Sequence, residues 1–312
     1  MTDAIDRPLI RYSNLIYDSG RWEGFRLRSD DIVISTPPKC GTTWTQMITA
    51  LLIFQTPDLP GPLSKLSPWL DMRTRARGDV FADLEAQTHR RFIKTHTPLP
   101  GLPFQDDVTY ICVARDPRDV ALSMDDHMAN LDLGAFLAAC AAAAAADGLP
   151  APVPPNGPPP GVHRTDRERF WAWVMDDTPP TETTSSLVIT LEHVRSFWDI
   201  RDADNVVMLH YQDLKTDLQG QMLALAERLG IEVPDDRWPA LVQAASFDDM
   251  RRRSSITTPN TDSAIWLDNA NFFRKGRSGA WREVLDETDL RRYDERVSAL
   301  APPELSTWIH RS

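Results

Sequence analysis

The residues with the most chemical promise are concentrated in Ile32–Trp44, which reads IVISTPPKCGTTW. A run of β-branched residues leads into a turn holding Pro37, Pro38 and Gly41, and Thr42 and Thr43 open a helical pattern directly afterwards. A strand that turns sharply into a helix presents unpaired backbone N–H groups and the positive end of the helix dipole, which together make an anion cradle. Gly41 lets the backbone approach such an anion, Lys39 adds a mobile positive charge, and the threonine hydroxyls add donors. The usual nucleoside-triphosphate loop has its lysine directly after the second glycine of G-x-x-x-x-G-K-[ST]. Here the lysine stands two residues before Gly41, and the turn has no earlier glycine.

Two further positions extend the pattern. The strand-like run Val108–Ala114 ends at Arg115, followed by Asp116, Pro117, Arg118 and Asp119. That strand end does not clearly deliver the aspartate that holds magnesium in phosphoryl transfer, whereas an arginine there suits direct binding of a fixed phosphate. The expected ligand therefore carries an additional phosphate and is held without a metal. His96, in Lys94-Thr95-His96-Thr97-Pro98, stands at the carboxyl end of another strand-like run. Histidine titrates near neutrality and is the natural general base, and a parallel sheet puts its active site at that end of its strands. Of the other histidines, His193 and His210 are expected to face helix or strand neighbours.

The elements that must position these residues are legible as runs. Asp31–Thr36, Arg91–Thr95, Val108–Ala114 and Asn205–Tyr211 are mostly apolar throughout, the pattern of strands covered on both faces. Thr43–Phe54 and Leu218–Leu229 carry apolar residues at helical spacing, and Gly230 is placed to end the second helix. Strands alternating with helices imply an α/β fold with a central parallel sheet flanked by helices. One segment departs from this. Ala138–Ala146 is an alanine tract broken only by Cys140, and Leu149–Gly161 carries seven prolines. It reads as an Ala/Pro-rich insertion at about 135–163 that runs over the surface, within one domain spanning 1–312.

Bulk properties narrow the function. The chain has 312 residues, 42% of them hydrophobic, and a net charge of −11. An acidic balance argues against nucleic acid as partner, since phosphate neutralisation needs a basic surface. Three cysteines without metal-like spacing, an early-charged N-terminus and no apolar run beyond Leu133–Ala146 predict a cytoplasmic protein with reduced thiols and no integral membrane association.

On these residues the chain resembles the cytosolic sulfotransferase family. The family's 5′-phosphosulfate loop has the form T-Y-P-K-S-G-T-T-W, and Thr36–Trp44 reads TPPKCGTTW. Its 3′-phosphate element is an arginine at a later strand end with a serine eight positions on, matched by Arg115 and Ser123; its R-K-G motif is matched in Phe273–Trp281, FRKGRSGAW. The resemblance implies 3′-phosphoadenosine 5′-phosphosulfate (PAPS) as co-substrate and no metal. By it, Lys39, Cys40, Gly41, Thr42 and Thr43 hold the 5′ end, and Arg115, Ser123, Arg274, Lys275 and Gly276 hold the 3′-phosphate. Trp44 and Phe247 flank the adenine, with Tyr211 near it. The family carries its base in a K-x-H-x-P segment, which implies His96 as base and Lys94 as a partner of the transferring group. The acceptor implied is a small molecule: a phenol, alcohol, amine or glycolipid.

Three positions depart from the family. Cys40 replaces serine, Ala245 stands where many members have threonine, and Trp281–Leu290 lacks the core of the short dimerisation motif, which leaves the oligomeric state open. Acceptor-pocket walls are expected from Leu63–Arg77, Met124–Leu133 and the proline-rich stretch. The rival readings are a small-molecule kinase and a non-catalytic nucleotide-binding protein on a related scaffold.

Overall fold

Strands too uniformly apolar to leave a face in water must be covered on both sides, and that requirement sets the architecture. In the computed structural model, which describes residues 8–153, 165–259, 265–269, 272 and 278–311, β1 (Ile32–Ser35), β2 (Phe92–Thr95), β3 (Thr109–Ala114) and β4 (Val206–His210) form a parallel sheet in the order β2-β1-β3-β4. The four expected strands are all present, one residue shorter at one or both ends.

The helices that matter to the site are α1 (Thr42–Phe54), α2 (Leu63–Leu66), α3 (Arg77–Ala86), α4 (Pro117–Ala129), α5 (Leu133–Ala146), α6 (Asp166–Val174) and α7 (Leu187–Trp198). Alternation along β1 divides the core. Ile32 and Ile34 pack with α1 and with the helices Leu218–Arg228 and Trp238–Ala245, while Val33 joins Ile93, Tyr110, Cys112 and Phe197 of α7 on the other face. Gly230 ends its helix with φ of 63°, the left-handed conformation expected of a terminating glycine.

At the amino ends of β1 and β2, Arg91 donates from Nε to Asp31 Oδ1 at 2.8 Å and from a second nitrogen to Oδ2, with both side chains 2% exposed. This pair sits at the opposite end of the sheet from the Lys39 turn and is architectural.

The alanine tract is helical. Asp132 caps α5 by accepting from the Ala135 amide at 2.9 Å, and the helix buries Phe136, Cys140 and Ala143. Alanine is the best helix former, so a capped alanine run needs few buried side chains to stay folded. Of the proline-rich continuation, 154–164 lie outside the described residues.

Because β1 lies between β2 and β3, the chain leaves its carboxyl end with neighbours connected in opposite directions. The carboxyl ends of all four strands, and so the Lys39 turn, His96, Arg115 and Tyr211, fall on one edge of the sheet. This is the switch point at which open α/β sheets bind ligands.

Candidate functional site

The turn after β1 is built by backbone conformation. Lys39 has φ of 65° and Gly41 φ of 107°, both left-handed. At Gly41 a side chain is excluded twice over, by that φ and because a Cβ would lie 3.1 Å from Tyr211 Cδ2. Gly41 is also the N-cap of α1 and supplies no side-chain acceptor, which leaves the first amides of α1 to an outside anion. Cys40 is fully buried beneath the turn, and burial raises its thiol to about 12, so it contributes backbone and volume but no thiolate.

A cavity of about 280 Å³ opens over this turn. Lys39, Gly41, Thr42, Thr43, Trp44, Lys94, His96, Arg115, Ser123, Tyr211 and Phe247 all line it, so nearly every described residue named from the sequence converges on one space. Arg274, Lys275 and Gly276 lie outside the described residues. The chain just after them is anchored at the cavity: the Gly279 and Ala280 amides donate to the Asp119 carboxylate at 2.8 and 3.0 Å, and the Arg118 guanidinium lies 3.9 Å from the Trp281 ring centre.

Aromatic groups gather at one side of the cavity. Trp44 Nε1–H donates to the Ala245 carbonyl at 2.8 Å and meets Tyr211 edge-on at 5.4 Å between ring centres; the Arg115 guanidinium lies 4.4 Å over Tyr211 and donates to the Lys39 carbonyl at 3.2 Å. The part of Ala245 in use is thus its backbone, which explains why losing a side-chain hydroxyl there leaves Trp44 fixed. His193 and His210 sit among neighbours as expected, His193 buried beside Ser35 and His210 bonded to the Ile309 carbonyl.

The electrostatics are those of a site built for an anion. Burial, then Arg115, pushes Lys39 down to about 8; burial, then Lys39, pushes Lys94 down to about 7, with Asp71 opposing. Two lysines this close to neutrality lose their strain when negative charge enters the cavity. His96 is held differently. Its Nδ1 lies 2.7 Å from the Thr36 carbonyl, an oxygen that can only accept, so Nδ1 carries the hydrogen and Nε2 the lone pair. Burial, then Lys94, drives its pKa well below 6.5, so the ring is neutral at physiological pH and able to accept a proton.

Two residues in this space carry no role in the sequence reading. His127, on α4, has Nδ1 3.4 Å from Lys39 Nζ and packs against the rings of Trp266 and Phe272. Trp69 lies under Lys94, with Nζ 4.1 Å from the ring centre, and edge-on to His96 at 4.6 Å. Their signal in the sequence is only position: Trp69 falls within the expected wall segment Leu63–Arg77 and His127 within Met124–Leu133, four residues after Ser123 on one helix face. The remaining wall is mixed: Met72, Met124, Phe136, Ile265 and Trp266 are apolar, while Asp125, Asp126, Asn130, Asp166 and Arg169 are polar. Among the described residues, no group of three or more His, Cys, Asp or Glu side chains could hold a metal, and no helix is long and apolar enough to cross a membrane.

A parallel sheet whose switch point gathers buried cations, aromatic faces and a neutral imidazole defines a group-transfer enzyme that works on an anionic nucleotide. The chain belongs to the sulfotransferase family: residues 29–303 match the sulfotransferase domain. It is 42% identical to a glycolipid sulfotransferase of Mycobacterium bovis, over 96% of this chain and 93% of that protein, and 27% identical to rat sulfotransferase 1A1, over 92% and 89%. In fold it resembles a mouse sulfotransferase complexed with PAP, with a TM-score of 0.67 at 22% identity, covering 94% of this chain and 93% of that one. The chain is a sulfotransferase, and the kinase and non-catalytic readings fall away.

Proposed function

We propose that the sulfuryl group comes from PAPS and passes to a hydroxyl on an acceptor with a substantial apolar part, with His96 as general base. The observation that carries this reading is the bond from His96 Nδ1 to the Thr36 carbonyl at 2.7 Å, which leaves Nε2 basic on a residue lining the cavity. The glycolipid class of acceptor is supported by the apolar cluster of Met72, Phe136, Ile265 and Trp266 around Trp69, which touches that histidine, and by the activity named for the Mycobacterium bovis relative.

Each residue then has a task. Lys39 and the amides at the start of α1 face the 5′-phosphosulfate, while Arg115 and Ser123, with Arg274, Lys275 and Gly276, take the 3′-phosphate. Trp44, Phe247 and Tyr211 enclose the adenine, whose π-face suits aromatic neighbours. His96 Nε2 removes the acceptor proton as the acceptor oxygen bonds to sulfur in line with the bond that breaks. The bridging oxygen leaves with the electron pair as part of adenosine 3′,5′-bisphosphate, and Lys39 and Lys94 neutralise its growing charge. Cys40 stands where the family has serine, its amide donating to the Pro37 carbonyl at 3.4 Å.

The test is His96→Ala. Loss of a general base lowers turnover by about 10²–10⁴-fold. Affinity for adenosine 3′,5′-bisphosphate, read by calorimetry, stays within about twofold, because His96 is assigned to the acceptor's proton and not to the nucleotide. Transfer of labelled sulfate to a panel of glycolipids, phenols and simple alcohols identifies the acceptor class. Near-normal turnover in the variant overturns the base, and no affinity for the bisphosphate in the unaltered protein overturns the donor.

A further inference from the structure

We propose that Asp71 is a positioning residue for sulfuryl transfer, clamping the segment that carries Lys94 and His96 and the Trp69 ring that both of them touch. This rests on the assignment of His96 as base. Asp71 is fully buried, lies outside every motif matched to the family, and is far in sequence from both groups it would control.

The geometry is a carboxylate filled with donors. Asp71 Oδ1 accepts from Trp69 Nε1 at 2.6 Å; Oδ2 accepts from Thr95 Oγ1 and Thr97 Oγ1, each at 2.6 Å, and from Trp22 Nε1 at 3.1 Å. Side chains alternate across an extended chain, so Thr95 and Thr97 point to one side and Lys94 and His96 to the other. Pinning both threonines to one carboxylate fixes the rotation of the chain about its own axis, and with it the direction of the lysine and the imidazole. The same carboxylate locks the indole of Trp69, whose face lies under Lys94 and whose edge meets His96. Backbone pairing adds to the clamp: Lys94 N–H donates to the Pro68 carbonyl at 3.0 Å and Leu70 N–H to the Lys94 carbonyl at 3.3 Å, so residues 68–70 run beside β2.

A buried carboxylate is costly unless donors repay it, and Trp22, Trp69, Thr95 and Thr97 do so here. Burial raises the Asp71 pKa while Thr95, Thr97, Trp22 and Trp69 oppose that, and the Asp71 charge in turn raises Lys94. The other titratable groups bearing on Lys94 are Lys39 from the turn, His96 on its own segment and His127 from α4, none of them an acid. Asp71 is therefore the negative charge that opposes the downward shift of Lys94 in the nucleotide-free enzyme.

The experiment compares Asp71→Asn with the unaltered enzyme. Misplacing reacting groups by an ångström costs about 100-fold, so kcat is expected to fall about 10- to 100-fold. Affinity for adenosine 3′,5′-bisphosphate stays within about threefold, and the alkaline fall of kcat/KM moves to lower pH as Lys94 loses its negative neighbour. Asp71→Glu, which restores the charge, recovers part of kcat and returns the pH limb. A folded Asp71→Asn enzyme with kcat within about twofold, or with an unmoved limb, overturns the proposal. Should Asp71→Asn fail to fold, Thr97→Val removes one donor without altering His96. It is expected to lower kcat about 10-fold at unchanged nucleotide affinity, and full kcat in that variant overturns the proposal equally. Failure of the base assignment is read separately, from His96→Ala.

Discussion

The pH dependence of kcat/KM is the sharpest consequence of the site, because three groups with displaced pKa values must be in stated forms at once. In the proposed mechanism Lys39 and Lys94 must be ammonium ions to neutralise the leaving phosphate, and burial brings them down to about 8 and about 7 in the nucleotide-free enzyme. The competent form is the protonated one, so activity present at low pH is lost as pH rises through these values. At pH 9 a group titrating at about 7 is about 1% protonated, so kcat/KM falls at least about 100-fold below the plateau it reaches on the acid side of that value, about 2.7 kcal/mol of transition-state stabilisation. Titration of Lys39 steepens the fall further, and since the two lysines repel one another the two steps belong to the pair. His96 acts in the opposite sense. Its competent form is neutral and its pKa lies well below 6.5, so the acid limb lies well below that of an ordinary histidine.

The assay is initial sulfuryl transfer at subsaturating PAPS, with an aliphatic alcohol acceptor that does not itself titrate, from about pH 5 to about pH 9.5. The free enzyme governs kcat/KM and the donor complex governs kcat. Phosphosulfate beside the lysines stabilises their charged forms, so the alkaline limb of kcat must lie at higher pH than that of kcat/KM. Lys94→Arg, a permanently charged replacement, should flatten the first part of the limb at some loss of rate. A kcat/KM profile level to pH 9, or an acid limb at 6.5 or above, would refute the electrostatic reading.

Other expectations follow from single contacts. Arg115→Ala removes charge-assisted bonds of about 1.5–3 kcal/mol, so affinity for adenosine 3′,5′-bisphosphate should fall about 10- to 100-fold in calorimetry, with preference over the nucleotide lacking the 3′-phosphate eroded in parallel. Asp31→Ala strands the buried Arg91 guanidinium at the far end of the sheet; urea unfolding should show a loss of about 3–5 kcal/mol, while turnover per folded molecule is unchanged. Alkylating reagents at mildly alkaline pH should leave activity intact despite Cys40 lying in the phosphate turn, because its thiol is fully buried and protonated; rapid inactivation that nucleotide prevents would contradict this.

The fold was legible where hydrophobicity has to satisfy two faces at once. Val33 packs toward α7 and Ile32 and Ile34 toward α1, so β1 could afford almost no polar residue, and an unbroken apolar run is what the sequence displays. Strand order is not written so locally. It depends on which crossover packs over which face, and the position of β1 between β2 and β3 emerges only in three dimensions. Helix α5 illustrates the limit of composition: an alanine run beside prolines looks like low complexity, yet the Asp132 cap and the buried Phe136, Cys140 and Ala143 make it an ordinary helix.

The candidate site divides along the same line. Lys39, Gly41, Thr42 and Thr43 were legible because an anion cradle is a local device, made of consecutive residues whose types and φ angles matter in order. Arg115 and His96 were legible because a strand end has one address in a parallel sheet. Asp71 and His127 were not, because each meets the site through contacts distant in sequence: the carboxylate with Trp69, Thr95 and Thr97, the imidazole with Lys39. No spacing rule links residue 71 to residue 97. What links them is the cost of burying donors without an acceptor, since two indoles and two hydroxyls brought to one place need an acceptor and a carboxylate can take all four. The groups proposed to do the chemistry are therefore readable as motifs, whereas the group proposed to aim them is readable only as satisfied hydrogen bonds.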